Sequence, residues 1–229
     1  MINLSEYVKI QYISNSGEDN ASLIYEKITS DLVYSMTGQI QKTHTVFVED
    51  SLAKNIVCEI VRKNGMSSSI DVVTYGAIEN AFTLAASFVI QNIELQNKLI
   101  VLDGDKYQTK ENKELQINKK LSGTEQDAEI KRNSALSIIT EFFLPTDCTP
   151  EKFLFDTILR CFPKDHEIYI AANEIKSVND SHEWITNICY KLGINYSNIV
   201  YNIFNYAKDD ELFNKYITPI EHWVFRVKI

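Results

Sequence analysis

Asp103 and Asp105 flank a single glycine, Gly104, which lets the backbone turn sharply between two carboxylates. Like charges held that close repel unless a cation lies between them. The resident best suited to such oxygen donors is a hard divalent metal, Mg²⁺ or Mn²⁺. A solvated Asp-Gly turn is the competing account of the same residues. A further acid, Glu49, follows the apolar run Thr45-Val46-Phe47-Val48, and its neighbours Asp50-Ser51 offer an N-cap for a helix. An acid at one strand end and an Asp-x-Asp pair at another are what metal-assisted phosphoryl chemistry requires. The metal neutralises phosphate oxygens and activates water while the protein fixes its position.

These acids meet only if secondary structure carries them to one place. Leu99-Ile100-Val101-Leu102, leading into Asp103, reads as a central strand covered on both faces. Thr45–Val48 reads as a short buried strand. In the helix after it, Leu52, Ile56, Val57, Ile60 and Val61 recur at three- and four-residue spacing, and Lys63-Asn64-Gly65 closes it. Ile70–Thr74 is the next strand, Tyr75-Gly76 its turn, and a helix over 78–93 follows. Strand, helix, strand, helix, strand with short connections predicts an α/β fold with a mainly parallel, Rossmann-like sheet flanked by helices. Ligands bind such sheets at the carboxyl ends of the strands, so Glu49, Gly76, Asp103 and Asp105 should share one edge.

The remainder is less patterned. Residues 106–133 carry Lys106, Lys110, Lys113, Lys119, Lys120, Lys131 and Arg132 with few apolar side chains. That predicts a solvated, mobile loop; its departure from the carboxylate pair would also suit a phosphate-steering loop. A strand is expected over 136–144 and a helix after the cap Thr149 and Pro150. From about 165 the chain reads helical, with helices over 178–192, 198–206 and 209–216, and it closes on an alternating piece, Trp223–Val227. At the other end, residues 7–13 alternate like a strand, 15–20 read as a turn and 21–35 as a short helix.

The totals bound the function. The 229 residues are 45% hydrophobic and 24% charged, an ordinary globular composition. A net charge of −8 confines any phosphate-binding face to a local patch. Cys58, Cys148, Cys161 and Cys189 lack CxxC spacing, so reduced thiols in a cytoplasmic protein are the simplest expectation. No apolar run approaches a membrane span, no signal-peptide pattern is present, and no GxxxxGK[ST] offers a P-loop for ATP. His44, His166 and His222 lack zinc spacing, and His182, in a helix beginning near Asp180, reads as a surface or capping residue.

Val46-Phe47-Val48-Glu49-Asp50, the glycine turn at Gly76 and Val101-Leu102-Asp103-Gly104-Asp105 together resemble the Toprim domain, the metal-binding fold of topoisomerases, bacterial primases and OLD-family nucleases. Leu144-Pro145 followed by Pro150-Glu151-Lys152-Phe153-Leu154 is similar to the OLD type specifically. The resemblance covers 43–165. It implies a metal-dependent DNA endonuclease or nickase, serving phage defence or DNA processing, with a helical extension over 166–229. Residues 1–42 would then be the linker or tail of an ABC-type ATPase module supplied in cis or in trans, and a homo-oligomer is possible. Glu49 would match the family's acid and metal glutamate, and Asp103 and Asp105 its metal pair. Asp50 could stand in for an acid the family often has four residues after the glutamate, where this chain has Ala53. Glu151 is the candidate for a later acid, and Lys152 or Lys176 for a catalytic lysine.

Two other readings follow from the same residues. Asp103-Gly104-Asp105 also resembles the nucleophile motif of HAD-like phosphatases, although that motif normally follows the first strand and Tyr107 departs from it. A non-catalytic interaction module that kept the fold and lost a ligand at Ala53 fits the acidic net charge.

Overall fold

Leu99–Leu102 does become the buried centre of a sheet, as its unbroken aliphatic run requires. The computed structural model of the protein describes residues 12–15, 22–25, 42–124, 126–175 and 180–228. Strands β3 (His44–Val48), β4 (Ile70–Thr74), β5 (Lys98–Leu102) and β6 (Ile139–Glu141) form one parallel sheet in the order β4-β3-β5-β6. Helix α1 (Ser51–Lys63) links β3 to β4, and α2 (Glu79–Ile90) links β4 to β5. The fold is therefore α/β and Rossmann-like. The chain steps outward from β3 to β4 and then crosses back past β3 to β5. That reversal makes the gap between the carboxyl ends of β3 and β5 the topological switch point, where open α/β sheets bind ligands.

Right-handed crossovers in opposite directions put the connecting helices on opposite faces. On one face Val46, Val48, Val72, Leu99 and Val101 pack with Leu52, Ile56, Val57 and Ile60 of α1. The other face joins Ile100 and Leu102 to Ala81, Phe82, Ala85 and Phe88 of α2. The alternation of Leu99 and Val101 against Ile100 and Leu102 is the two-residue period of a strand buried on both sides.

The cation-rich insert is folded rather than a mobile loop. It forms α3 (Lys110–Lys120), capped by Thr109, and α4 (Gln126–Ser137). Ile117, Leu121, Ala135 and Ile138 bury against α2, and Lys113 pairs with Glu141 of β6 in a mostly buried contact. Its cations are largely engaged within the protein. Lys110 faces Glu114, Lys131 pairs with Asp127, and Arg132 donates to the carbonyls of Leu121 and Gly123. These contacts leave Lys106, directly after the Asp-x-Asp pair, as the insert cation that acts on the acids.

The strand expected over 136–144 is shorter, because Leu136 and Ser137 still belong to α4. Beyond β6, Phe142 N–H donates to Leu102 O at 3.1 Å, and the next N–H, of Phe143, turns away to Tyr216 O at 3.1 Å. Then come α5 (Pro150–Cys161), α6 (Glu167–Ile175), a 3₁₀ turn over Ser181–Glu183, α7 (Trp184–Leu192), α8 (Tyr196–Tyr206) and α9 (Glu211–Lys228). These helices share one apolar core with α1 and its face of the sheet. The alternating piece at Trp223–Val227 is the last turns of α9: Ile220, Trp223 and Val224 are buried and Phe225 is exposed, a helical spacing.

At the amino-terminal side, β1 (Tyr12–Asn15) pairs antiparallel with β2 (Ser22–Tyr25), so part of the expected helix over 21–35 is a strand. Its remainder, residues 7–11 of the expected strand and 16–20 of the turn lie outside the described residues, as do 178 and 179 of the expected 178–192 helix. Among the described residues, no helix is long and apolar enough to cross a membrane.

Candidate metal and phosphate site

Register brings the acids level. Phe47 pairs with Ile100, so two residues further along each strand Glu49 leaves β3 beside Leu102, one residue before Asp103. Tyr75 N–H donates to Val48 O at 2.8 Å and Gly76 N–H to Glu49 O at 3.0 Å, which extends the β3–β4 pairing past the strand ends and fixes the Glu49 backbone. Gly76 serves this turn with a φ of +81°.

The Asp-Gly-Asp turn is held from several sides. Gly104 has a φ of +90°, and a Cβ there would lie 2.2 Å from Phe142 O. Only glycine satisfies both conditions. Gln108 donates its side-chain amide to Gly104 O at 2.6 Å, and Tyr107, itself at φ +53°, packs edge-on against Phe82 with ring centroids 5.1 Å apart. So anchored, the turn is no solvated punctuation: Asp103 and Asp105 are both half-buried.

Negative charge is concentrated here and only partly compensated. Burial, followed by Asp105, raises the Glu49 carboxyl to about 7, with Asp50 and Glu79 adding to the shift and the Lys106 ammonium opposing it. Asp103 rises to about 8, first from burial and then from Glu49, Asp50, Asp105 and Glu151. Tyr75 bridges the edge by donating its hydroxyl to Val101 O at 3.0 Å; burial and the Glu49 and Asp103 carboxylates hold it protonated.

Two expected residues have structural duties as well. Asp50 caps α1, accepting from Ala53 N–H at 2.8 Å, so one of its oxygens is engaged. Glu151 lies in the first turn of α5, after the Thr149 cap and Pro150, and its buried Oε2 has no hydrogen bond although His182 Nδ1 is 3.4 Å away. Asp50, Ala53, Asp103, Glu151 and Tyr216 line one narrow recess behind the Asp-Gly-Asp turn. Ala53 contributes only a buried methyl there.

The lysine expectations separate. Lys152 is exposed, and the group it acts on is the Cys148 thiol rather than Glu49 or Asp103. Lys176 lies outside the described residues. Lys106, directly after the Asp-x-Asp pair, is the cation that acts on Glu49. It was visible in the sequence as a member of the insert. Tyr75, His182 and Tyr216 were not singled out as partners of the acids; only the adjacency of Tyr75 to Gly76 gave any local signal.

The donor set tests well for a hard cation in its chemistry. It is all oxygen, it is anionic, and the buried Asp103 Oδ1 and Glu151 Oε2 have no hydrogen-bond partner. The cage itself is not assembled: among the described residues, no three His, Cys, Asp or Glu side chains are grouped closely enough to hold a metal. No protein-family model, curated protein or solved structure matches the chain.

Proposed function

We propose that the protein is a Toprim-type, metal-dependent phosphodiesterase of the OLD class that cuts or nicks DNA. One observation carries the reading: Glu49 and the Asp103/Asp105 pair share the carboxyl edge of the sheet at its switch point, where Lys106 opposes their mutual repulsion only in part. Glu49, Asp103 and Asp105 would hold Mg²⁺ or Mn²⁺, with Asp50 and Glu151 as further oxygen donors. A cation bound there supplies charge neutralisation for the phosphate and lowers the pKa of water.

The chain's own groups have distinct tasks. Glu49, the acid that leaves β3 at this edge, is the group placed to accept a proton from the attacking water. Lys106 brings positive charge to the same edge, where negative charge develops on the phosphoryl oxygens. Tyr75 fixes the edge by tying the end of β4 to β5. DNA as substrate, a role in phage defence or DNA processing, and an ABC-type ATPase module as partner rest on the sequence resemblance.

The test is nicking of supercoiled plasmid in the presence of Mn²⁺ or Mg²⁺. Glu49→Ala and the Asp103→Ala/Asp105→Ala double variant should each lower the rate at least about 100-fold, the scale of losing a main electrostatic contributor. Unchanged nicking in both variants refutes the proposal. The unassembled donor cage and the methyl of Ala53 favour one rival, a non-catalytic module of the same fold. Absence of calorimetric Mn²⁺ binding by the folded protein would select that rival.

A further inference from the structure

Tyr216 presents a puzzle of a kind that native interiors rarely leave unsolved. It lies in α9, far in sequence from the acids, and its side chain is fully buried. The ring stacks on Phe142 at 4.7 Å and on Phe153 at 4.6 Å, while its own carbonyl accepts from Phe143 N–H. A phenylalanine would satisfy all those contacts. The hydroxyl is the one part of the side chain without a partner, and it opens into the recess lined by Asp103 and Glu151. A buried hydroxyl left unpaired is destabilising, so its retention calls for an acceptor.

The recess contains candidates for that acceptor. Asp103 Oδ1 and Glu151 Oε2 are both buried and both without a hydrogen bond. The space between the lining residues is too narrow for a water molecule, so these groups must satisfy one another. A phenol has one proton to give. Glu151 Oε2 already faces His182 Nδ1 at 3.4 Å, a donor when the ring is protonated. Asp103 Oδ1 has no such neighbour.

We infer that Tyr216 is a positioning residue whose hydroxyl donates to Asp103 Oδ1 across the recess after a side-chain rotation. It fixes the carboxylate that ends β5 and leaves Oδ2 for the ligand. This ties the last helix of the chain to the site at the sheet edge. The Asp103 contact itself is independent of the nuclease reading; its consequence for cation binding rests on that reading.

Thermal unfolding of the full chain, in the absence of divalent metal, tests the contact through a double-mutant cycle of Tyr216→Phe and Asp103→Ala. In the wild-type background Tyr216→Phe should lower the midpoint by about 2–6 °C, the scale of a lost buried hydrogen bond in a chain of this size. In the Asp103→Ala background it should be neutral or raise the midpoint, because the hydroxyl there has lost its acceptor. Equal shifts in both backgrounds overturn the inference. Asp103→Ala removes a carboxylate that neighbours repel, so the background should fold. If it does not, Glu151→Ala serves as the control, in which the Tyr216→Phe penalty must persist. Loss of the penalty in Glu151→Ala would assign the hydroxyl to Glu151 instead and also overturn the inference.

Calorimetry with Mn²⁺ then reads the consequence. If the wild type binds, Tyr216→Phe should weaken binding about 10- to 100-fold, as loss of an outer-shell partner does. Unchanged affinity would deny Tyr216 its positioning role. Absence of binding by the wild type would count against the nuclease reading alone, since the unfolding cycle is measured without metal.

Discussion

Gly104 shows how far one position can determine the site. Its left-handed backbone and the 2.2 Å approach of a would-be Cβ to Phe142 O are separate constraints, and a methyl group violates both. The second obstacle is backbone, tied by the Phe142 N–H to Leu102 O bond, so it cannot move aside as a flexible side chain would. Gly104→Ala should therefore cost about 3 kcal/mol or more in urea unfolding. A loss below about 1 kcal/mol, the ordinary cost of an Ala at positive φ, would show that the turn yields. The Asp-x-Asp pair and Glu49 were legible in the sequence, because a strand pattern and a short motif place them without knowledge of distant chain. Tyr216 was not, since helical spacing makes any tyrosine there look like core. Its distinguishing feature is an unpaired atom that only tertiary structure reveals.

Elements divide in the same way, according to whether their signal is local. The strands at 44–48, 70–74 and 98–102 are dense in β-branched and aliphatic residues and sit where expected. The insert helices gave no such signal: α3 buries only Ile117 along its length, and its lysines read as solvent-facing loop. Thr109 at the cap and the helix-forming run after it were the available clue. The end of the chain misled for another reason. Trp223, Phe225 and Val227 at two-residue spacing imitate a strand, although Ile220, Trp223 and Val224 follow a helical period over a longer window. Deleting α9, residues 211–228, tests how far this helix belongs to the fold. It removes Phe213, Tyr216, Ile217, Ile220, Trp223 and Val224 from the core that α1 shares. Each loss of a large buried side chain costs about 2–5 kcal/mol, so the sum exceeds the stability of an ordinary domain. The shortened chain should show no cooperative thermal transition by circular dichroism. A sharp transition near that of the intact protein would make α9 an accessory.

For the molecule as a whole, the buried and crowded acids set the pH response. A carboxyl whose pKa is raised by folding binds its proton more tightly in the native state than in the unfolded chain. Stability from that group is full below the unfolded value and is lost as pH rises through the folded one. Glu49 rises from 4.5 to about 7 and Asp103 from 3.8 to about 8, so both act in one direction over the range from about 4 to 8. Opposing shifts exist: Lys42 holds Asp71 below its usual range, and Arg160 does the same for Asp210, which favours folding once pH exceeds the ordinary carboxylate range. Those lowered groups have finished titrating by about pH 5, whereas Glu49 and Asp103 have not. The unfolding midpoint in metal-free buffer should therefore fall between pH 5 and 8. Glu49→Gln and Asp103→Asn together should flatten that slope. A cation at the site reverses the sign by favouring the ionised acids, so excess Mn²⁺ should raise the midpoint most at the upper end of the range. A midpoint that rises steadily from pH 5 to 8 without metal would mean that burial and mutual repulsion do not hold the edge acids protonated in the folded protein, and would remove the crowding of acids on which the proposed function rests.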